Sequence, residues 1–140
     1  MRKFGICHIM DIGPHGVAPN AIHRLPIEEH GIQPASSIST VLLNARTGLL
    51  HYPVDYLTKS GIWSSYIAHG VIPLVVSPTR PTEMVDEGQH FLRLTDGYRI
   101  SEDVADSVHQ EGYDWYRTHA HSTQAARHFV DLMQRAKLAS

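Results

Sequence analysis

The chain has 140 residues, of which 42% are hydrophobic: enough for one buried core, too few for two full domains. Against 12 basic side chains stand 14 acidic ones, and a formal charge of -2 excludes binding of nucleic acid or an anionic membrane by bulk charge. A lone cysteine, Cys7, excludes an internal disulfide; with no basic-then-apolar leader and no apolar run of membrane-spanning length, the expectation is a cytoplasmic protein without a membrane span.

No repeat or low-complexity stretch divides residues 1–140, so the chain reads as one unit. Phe4 to Met10 is a short apolar run closed by Gly13-Pro14 and Gly16, which predicts a buried strand and a long loop. Asn20 is an expected cap for a short or kinked helix carrying Ile22, Leu25 and Ile27, with Pro26 removing one N–H inside it. Ile32 to Ser36 is too short for a strand and a loop. Ser36 or Ser37 then caps a helix whose Ile38, Val41, Leu42 and Ala45 share a face, ending near Thr47-Gly48.

Leu49 to Tyr52, stopped by Pro53, predicts a strand with a loop at its carboxyl end. Ser60-Gly61 opens a helix through His69, and Gly70 ends it where a left-handed residue is easiest for glycine. Ile72 to Val76 is an apolar strand with Pro73 near its start. A strand, one helix and another strand imply parallel pairing, hence α/β architecture with flanking helices. Ser77 to Gly88 reads as loop and His90 to Leu94 as a further strand. Ser101 caps a helix carrying Val104, Val108 and Trp115, and a last helix gathers Ala126, Phe129, Val130 and Met133 on a face to bury.

The informative stretch is Thr58-Lys59-Ser60-Gly61, between the end of a parallel strand and the start of a helix, where open α/β sheets bind ligands. First-turn amides and the positive end of the helix dipole stabilise an anion there, Lys59 adds a full charge, Ser60 caps or donates, and Gly61 allows close approach. An ordinary capped helix with a solvated lysine is the competing reading, since the two glycines of a Walker phosphate loop are absent.

Asn44-Ala45-Arg46-Thr47-Gly48-Leu49-Leu50, Lys59-Ser60-Gly61, Ala68-His69-Gly70, Ile72 to Val76 and the paired terminal helices occur in a set order. That order resembles the carboxyl-terminal, donor-binding half of GT-B glycosyltransferases of the family 4 or glycosyl-transferases-group-1 type, over roughly residues 36–136. The resemblance implies a Rossmann-like domain and transfer of a sugar from a nucleotide-diphosphate sugar to an acceptor, without a further cofactor. It implies Lys59, Ser60 and Gly61 at the diphosphate, with Ser65 and His15 as candidate contacts to ribose or sugar. The acceptor domain of that family is missing, so the expectation is a single incomplete GT-B domain. The family's Glu-x7-Glu positions are held by Leu57 and Ser65, so both carboxylates are absent and Ser65 offers only a neutral hydrogen bond. The alternative is a catalytically silent fragment or interaction module with the same fold, which pairs with a second copy or a missing-domain partner.

Other constellations carry less. Thr118-His119-Ala120-His121 is similar to the His-x-His opening of metallo-β-lactamase-type hydrolases, but that motif continues with Asp-His and here Ser122-Thr123-Gln124 follows, so no metal is assigned. Ser122 is the expected cap of the last helix. His8 is expected to be half or wholly buried in the first strand, His15 exposed in its loop, and Cys7 buried as a small hydrophobe. Asp55 reads as a turn residue, and Trp63, Tyr66 and Ile67 as one helical face packed on the sheet rather than an aromatic platform. No Gly-x-Ser-x-Gly nucleophile elbow occurs.

Overall fold

A computed structural model describes residues 6–16, 20–22, 24–77, 84–94 and 100–138. Two small sheets built around parallel strands are flanked by helices, an α/β, Rossmann-like arrangement. In the first sheet β1 (Ile9–Ile12) runs parallel to the central β3 (Leu25–Gly31), and β2 (Ala21–Ile22) pairs antiparallel with β3 from the other side. In the second, β4 (Thr47–His51), β5 (Ile72–Val76) and β6 (Leu92–Arg93) are parallel, with β5 in the centre.

The helix expected from Asn20 is instead a hairpin. Leu25 and Ile27 are half-buried while Pro26 and Glu28 are exposed, the two-residue alternation of a strand. Arg24, with φ of 69°, turns the chain, and the Ile27 amide donates to the Asn20 carbonyl at 3.1 Å, so Asn20 serves a strand pair and caps nothing. This places a strand ahead of Ile32 that the sequence reading lacked. The first strand begins later than expected, and Phe4 lies outside the described residues. Cys7 and His8 precede it and are exposed rather than buried; His8 Nε2 is 3.0 Å from the Glu28 carboxylate.

Helix α1 (Ala35–Asn44) is preceded by Pro34 in extended backbone with no side-chain cap, so neither Ser36 nor Ser37 caps it. Its Ile38, Val41 and Leu42 are half-buried, as is Ala45 just beyond its end. The helix stops at Asn44, and Thr47 and Gly48 belong to β4, paired with Ile72 and Pro73. Gly48 is glycine because of closeness: a Cβ there would run into the Tyr66 ring, with Cδ2 at 2.7 Å.

The second sheet divides the core by strand parity. Ile72 and Leu74 of β5 pack with Leu92, Ala105 and Val108. Val75 faces the other way, with Leu50, Val54, Leu57, Trp63, Ile67, Phe91 and Trp115. Burial on both faces explains the continuous apolar run of the central strand. Helix α2 (Gly61–Ala68) supplies Trp63 and Ile67, and ends at Gly70, whose φ of 71° is the left-handed value that glycine tolerates. Ile67 lies against Gly112 of α3 (Glu102–Trp115), where the missing side chain lets the two helices approach. Ser101 caps α3, accepting the Val104 amide at 3.3 Å. Trp63 and Trp115 meet edge to face at 4.8 Å, and their indole nitrogens donate to the carbonyls of His90 and Met84.

Beyond Trp115 the chain widens into a π-turn, Tyr116–Ala120, before α4 (Ser122–Leu138). The cap of α4 is His121 rather than Ser122: the His121 Nδ1 accepts the Thr123 amide at 3.2 Å. The apolar face of α4 is present but not covered, since Phe129, Val130, Leu132 and Met133 are all exposed. Of the loop expected over 77–88, residues 78–83 lie outside the described residues. No helix among the described residues is long and apolar enough to cross a membrane.

Candidate functional site

At the carboxyl end of β4, Pro53 breaks the strand and the chain makes a tight helical turn, Val54–Lys59. Val54 and Leu57 are fully buried and anchor this turn from below, which explains why an apolar residue stands at position 57. The Ser60 amide donates to the Leu57 carbonyl at 2.9 Å, fixing the step into α2. Ser60 itself is only 6% exposed; its hydroxyl oxygen accepts the Trp63 amide at 3.2 Å, and its carbonyl accepts the Ser64 amide at 3.0 Å.

With those two donors satisfied, the amides of Gly61 and Ile62 remain ahead of the first intrahelical acceptor, on exposed residues. Apart from its chain neighbours and the backbone of its own helix, nothing lies within 4 Å of the place where a Gly61 Cβ would stand, so the helix start is open. Lys59 is exposed beside it, its Nζ 5.0 Å from the centre of the Tyr56 ring. Asp55 is exposed in the first turn of the same segment.

Lys59, Ser60 and Gly61 are therefore contiguous and rigidly based, but they differ in role. Ser60 is chiefly a cap. Ser65 lies one turn into α2, its hydroxyl donating to the Gly61 carbonyl at 2.8 Å. His15 belongs to the loop after β1, where its Nδ1 is 3.5 Å from the Glu29 carboxylate; among the described residues no hydrogen bond or ion pair joins it to residues 59–61. The helix is further held by His69, whose Nδ1 donates to the Ser65 carbonyl at 2.8 Å and whose Nε2 accepts from the Ser39 hydroxyl of α1 at 2.8 Å.

A second cleft, of about 230 Å³, opens where His90 and His119 meet Glu111 and Asp114 beside Trp115. His90 Nδ1 accepts the Asp86 amide at 2.9 Å, which places the proton of the neutral ring on Nε2. His119 stacks on Trp115 at 4.9 Å, and its Nδ1 lies 2.7 Å from the Thr118 hydroxyl and 3.1 Å from the Trp115 carbonyl. Burial pushes the His90 imidazole below its ordinary range; the charges of Asp86 and Glu111 oppose this, and His119 adds to it. The sequence singled out only His119 of this group, and with His121 rather than His90, because the members come from a loop, from two positions on α3 and from the turn after it, with no motif joining them.

His119 and His121 do not act together. They line different clefts, His119 within the π-turn and His121 at its end. Among the described residues no group of three or more His, Cys, Asp or Glu side chains is placed to hold a metal ion. Trp63 and Ile67 are core and Tyr66 packs against them, as expected; the Tyr66 hydroxyl donates to the Leu49 carbonyl at 3.2 Å, and burial pushes the phenol up.

Compared with known proteins, the chain matches no protein-family profile, no curated protein and no solved structure.

Proposed function

We propose that the chain binds the diphosphate of a nucleotide-sugar donor where β4 gives way to α2, as the donor half of a glycosyltransferase acting on an acceptor held elsewhere. The observation that carries this reading is the open start of α2 at the carboxyl end of a parallel strand, with Lys59 beside it and a capped, buried Ser60 beneath. The Gly61 and Ile62 amides and the dipole of α2 supply fixed positive potential, and Lys59 supplies a mobile full charge. In sugar transfer negative charge develops on the departing diphosphate, so the lysine would stabilise the transition state more than the ground state. Ser60 contributes by holding the turn. A role for Ser65 toward ribose requires its hydroxyl to release the Gly61 carbonyl, and a role for His15 requires it to leave Glu29.

Calorimetric titration with UDP, GDP and ADP tests this. One diphosphate binds, and Lys59→Ala weakens it by about 1.5–3 kcal/mol, the scale of a charge-assisted hydrogen bond. Equal binding by variant and parent, or no binding of any diphosphate, refutes the assignment.

A second reading, an interaction module that keeps the fold without catalysis, is favoured by α4, where Phe129 is 64% and Met133 58% exposed on one apolar face.

A further inference from the structure

One cleft is remote in sequence from Lys59 and is not explained by the donor site. It has a volume of about 340 Å³ and lies in the corner where α3 passes through the π-turn into α4, within the range of small-molecule pockets. The turn contributes Tyr116 and Arg117 to its lining. The His121 amide donates to the Tyr116 carbonyl, five residues back, at 2.9 Å, and this wider ring brings the His121 imidazole edge-on to Tyr116 at 5.8 Å. Tyr113, Arg117 and Arg127 complete the walls that matter to the argument.

Every charged wall of this cleft is cationic. Arg117 and Arg127 are in no ion pair among the described residues, and no carboxylate lines the space. Arg117 lies over the Tyr113 ring at 5.9 Å, which restrains the guanidinium by stacking without occupying its N–H donors. His121 is oriented as well: Nδ1 accepts the Thr123 amide, so the neutral ring carries its proton on Nε2 and is a donor there. The first-turn amides of α4 are largely spoken for, since Gln124 and Ala125 both donate to the His121 carbonyl. Recognition therefore falls to side chains. Two arginines, a histidine and two tyrosines line the space, and guanidinium forks match the oxygens of a phosphoryl group.

We infer that this corner is an anion site for a small phosphorylated compound, with Arg117 and Arg127 as its charged ligands and Tyr113, Tyr116 and His121 as its orienting walls. It is independent of the donor site proposed above. Both arginines are exposed and outside the two core clusters, so their replacement leaves the fold in place.

The test is an NMR titration of the isotopically labelled full chain with inorganic pyrophosphate at constant ionic strength. Shifts should saturate at the amides of residues 116–124. Arg117→Ala and Arg127→Ala should each raise the dissociation constant by at least about tenfold. Lys59→Ala should leave that constant unchanged, which separates this site from the one at α2. The absence of saturable shifts at residues 116–124 in the parent chain overturns the inference, as does retention of full affinity by both arginine variants. Shifts that vanish with Lys59→Ala assign pyrophosphate to the α2 start alone and also overturn it.

Discussion

Gly48 offers the sharpest test of how the second sheet is packed. Its backbone φ is not in the left-handed region, so alanine is forbidden there by the neighbouring ring and not by conformation. A Cβ would overlap three atoms of the Tyr66 ring, which is held at its far end by the hydroxyl's bond to Leu49 and from below by burial. Forcing extra volume into such a place costs about 1–3 kcal/mol. Against this, alanine in a strand gains about 0.5–1 kcal/mol over glycine. Gly48→Ala should therefore destabilise the protein by up to about 2.5 kcal/mol, the upper end of the difference between those two ranges. In a Tyr66→Ala background the overlap is gone and only the gain remains, so the same substitution should be neutral or stabilising. Urea unfolding followed by the fluorescence of Trp63 and Trp115 measures all four corners of the cycle, with an interaction energy of about 1–3 kcal/mol expected. The same loss in both backgrounds would show that the ring is not what excludes alanine.

Two further outcomes follow from the structure. Burial holds the His90 imidazole below its ordinary 6.5, so the unfolded chain takes up a proton before the folded one does. Stability is then independent of this group well above pH 6.5 and is lost as the pH falls through that value toward the folded one; His90→Gln should flatten this part of the stability–pH curve, and an unchanged curve refutes the assignment. If α4 associates with a second copy, light scattering should show mass rising with concentration, and Phe129→Glu with Leu132→Glu should abolish the rise; a parent chain that stays monomeric refutes this second reading.

What could be read from the sequence is what local chemistry decides. Helix α2 is bracketed by Ser60 and Gly70, and both ends are where the cap and the left-handed glycine put them. Strand β5 is apolar on both faces because it is central, so its composition alone revealed it. The hairpin of β2 and β3 was hidden because Ile22, Leu25 and Ile27 also fit a short helix. What settles the matter is pairing of β3 with β1 at Ile9–Ile27, a contact between distant residues that carries no local mark. The same holds for the His90 cleft. In α4 the apolar face was legible, but amphipathicity says only that a face gains from cover, not that this chain supplies it.

The neighbours His119 and His121 show how little separates a shared site from two separate ones. In an unbroken helix or strand their relative direction would follow from spacing, and a pair two residues apart suggests a common ligand in a strand and opposite faces in a helix. Here the amide of His121 reaches back five residues, so neither rule applies. One ring stacks on Trp115 and joins the acidic His90 cleft, while the other meets Tyr116 and joins the cationic corner. Clefts of opposite charge thus share a wall formed by a single turn, and each histidine is fixed by a hydrogen bond to backbone.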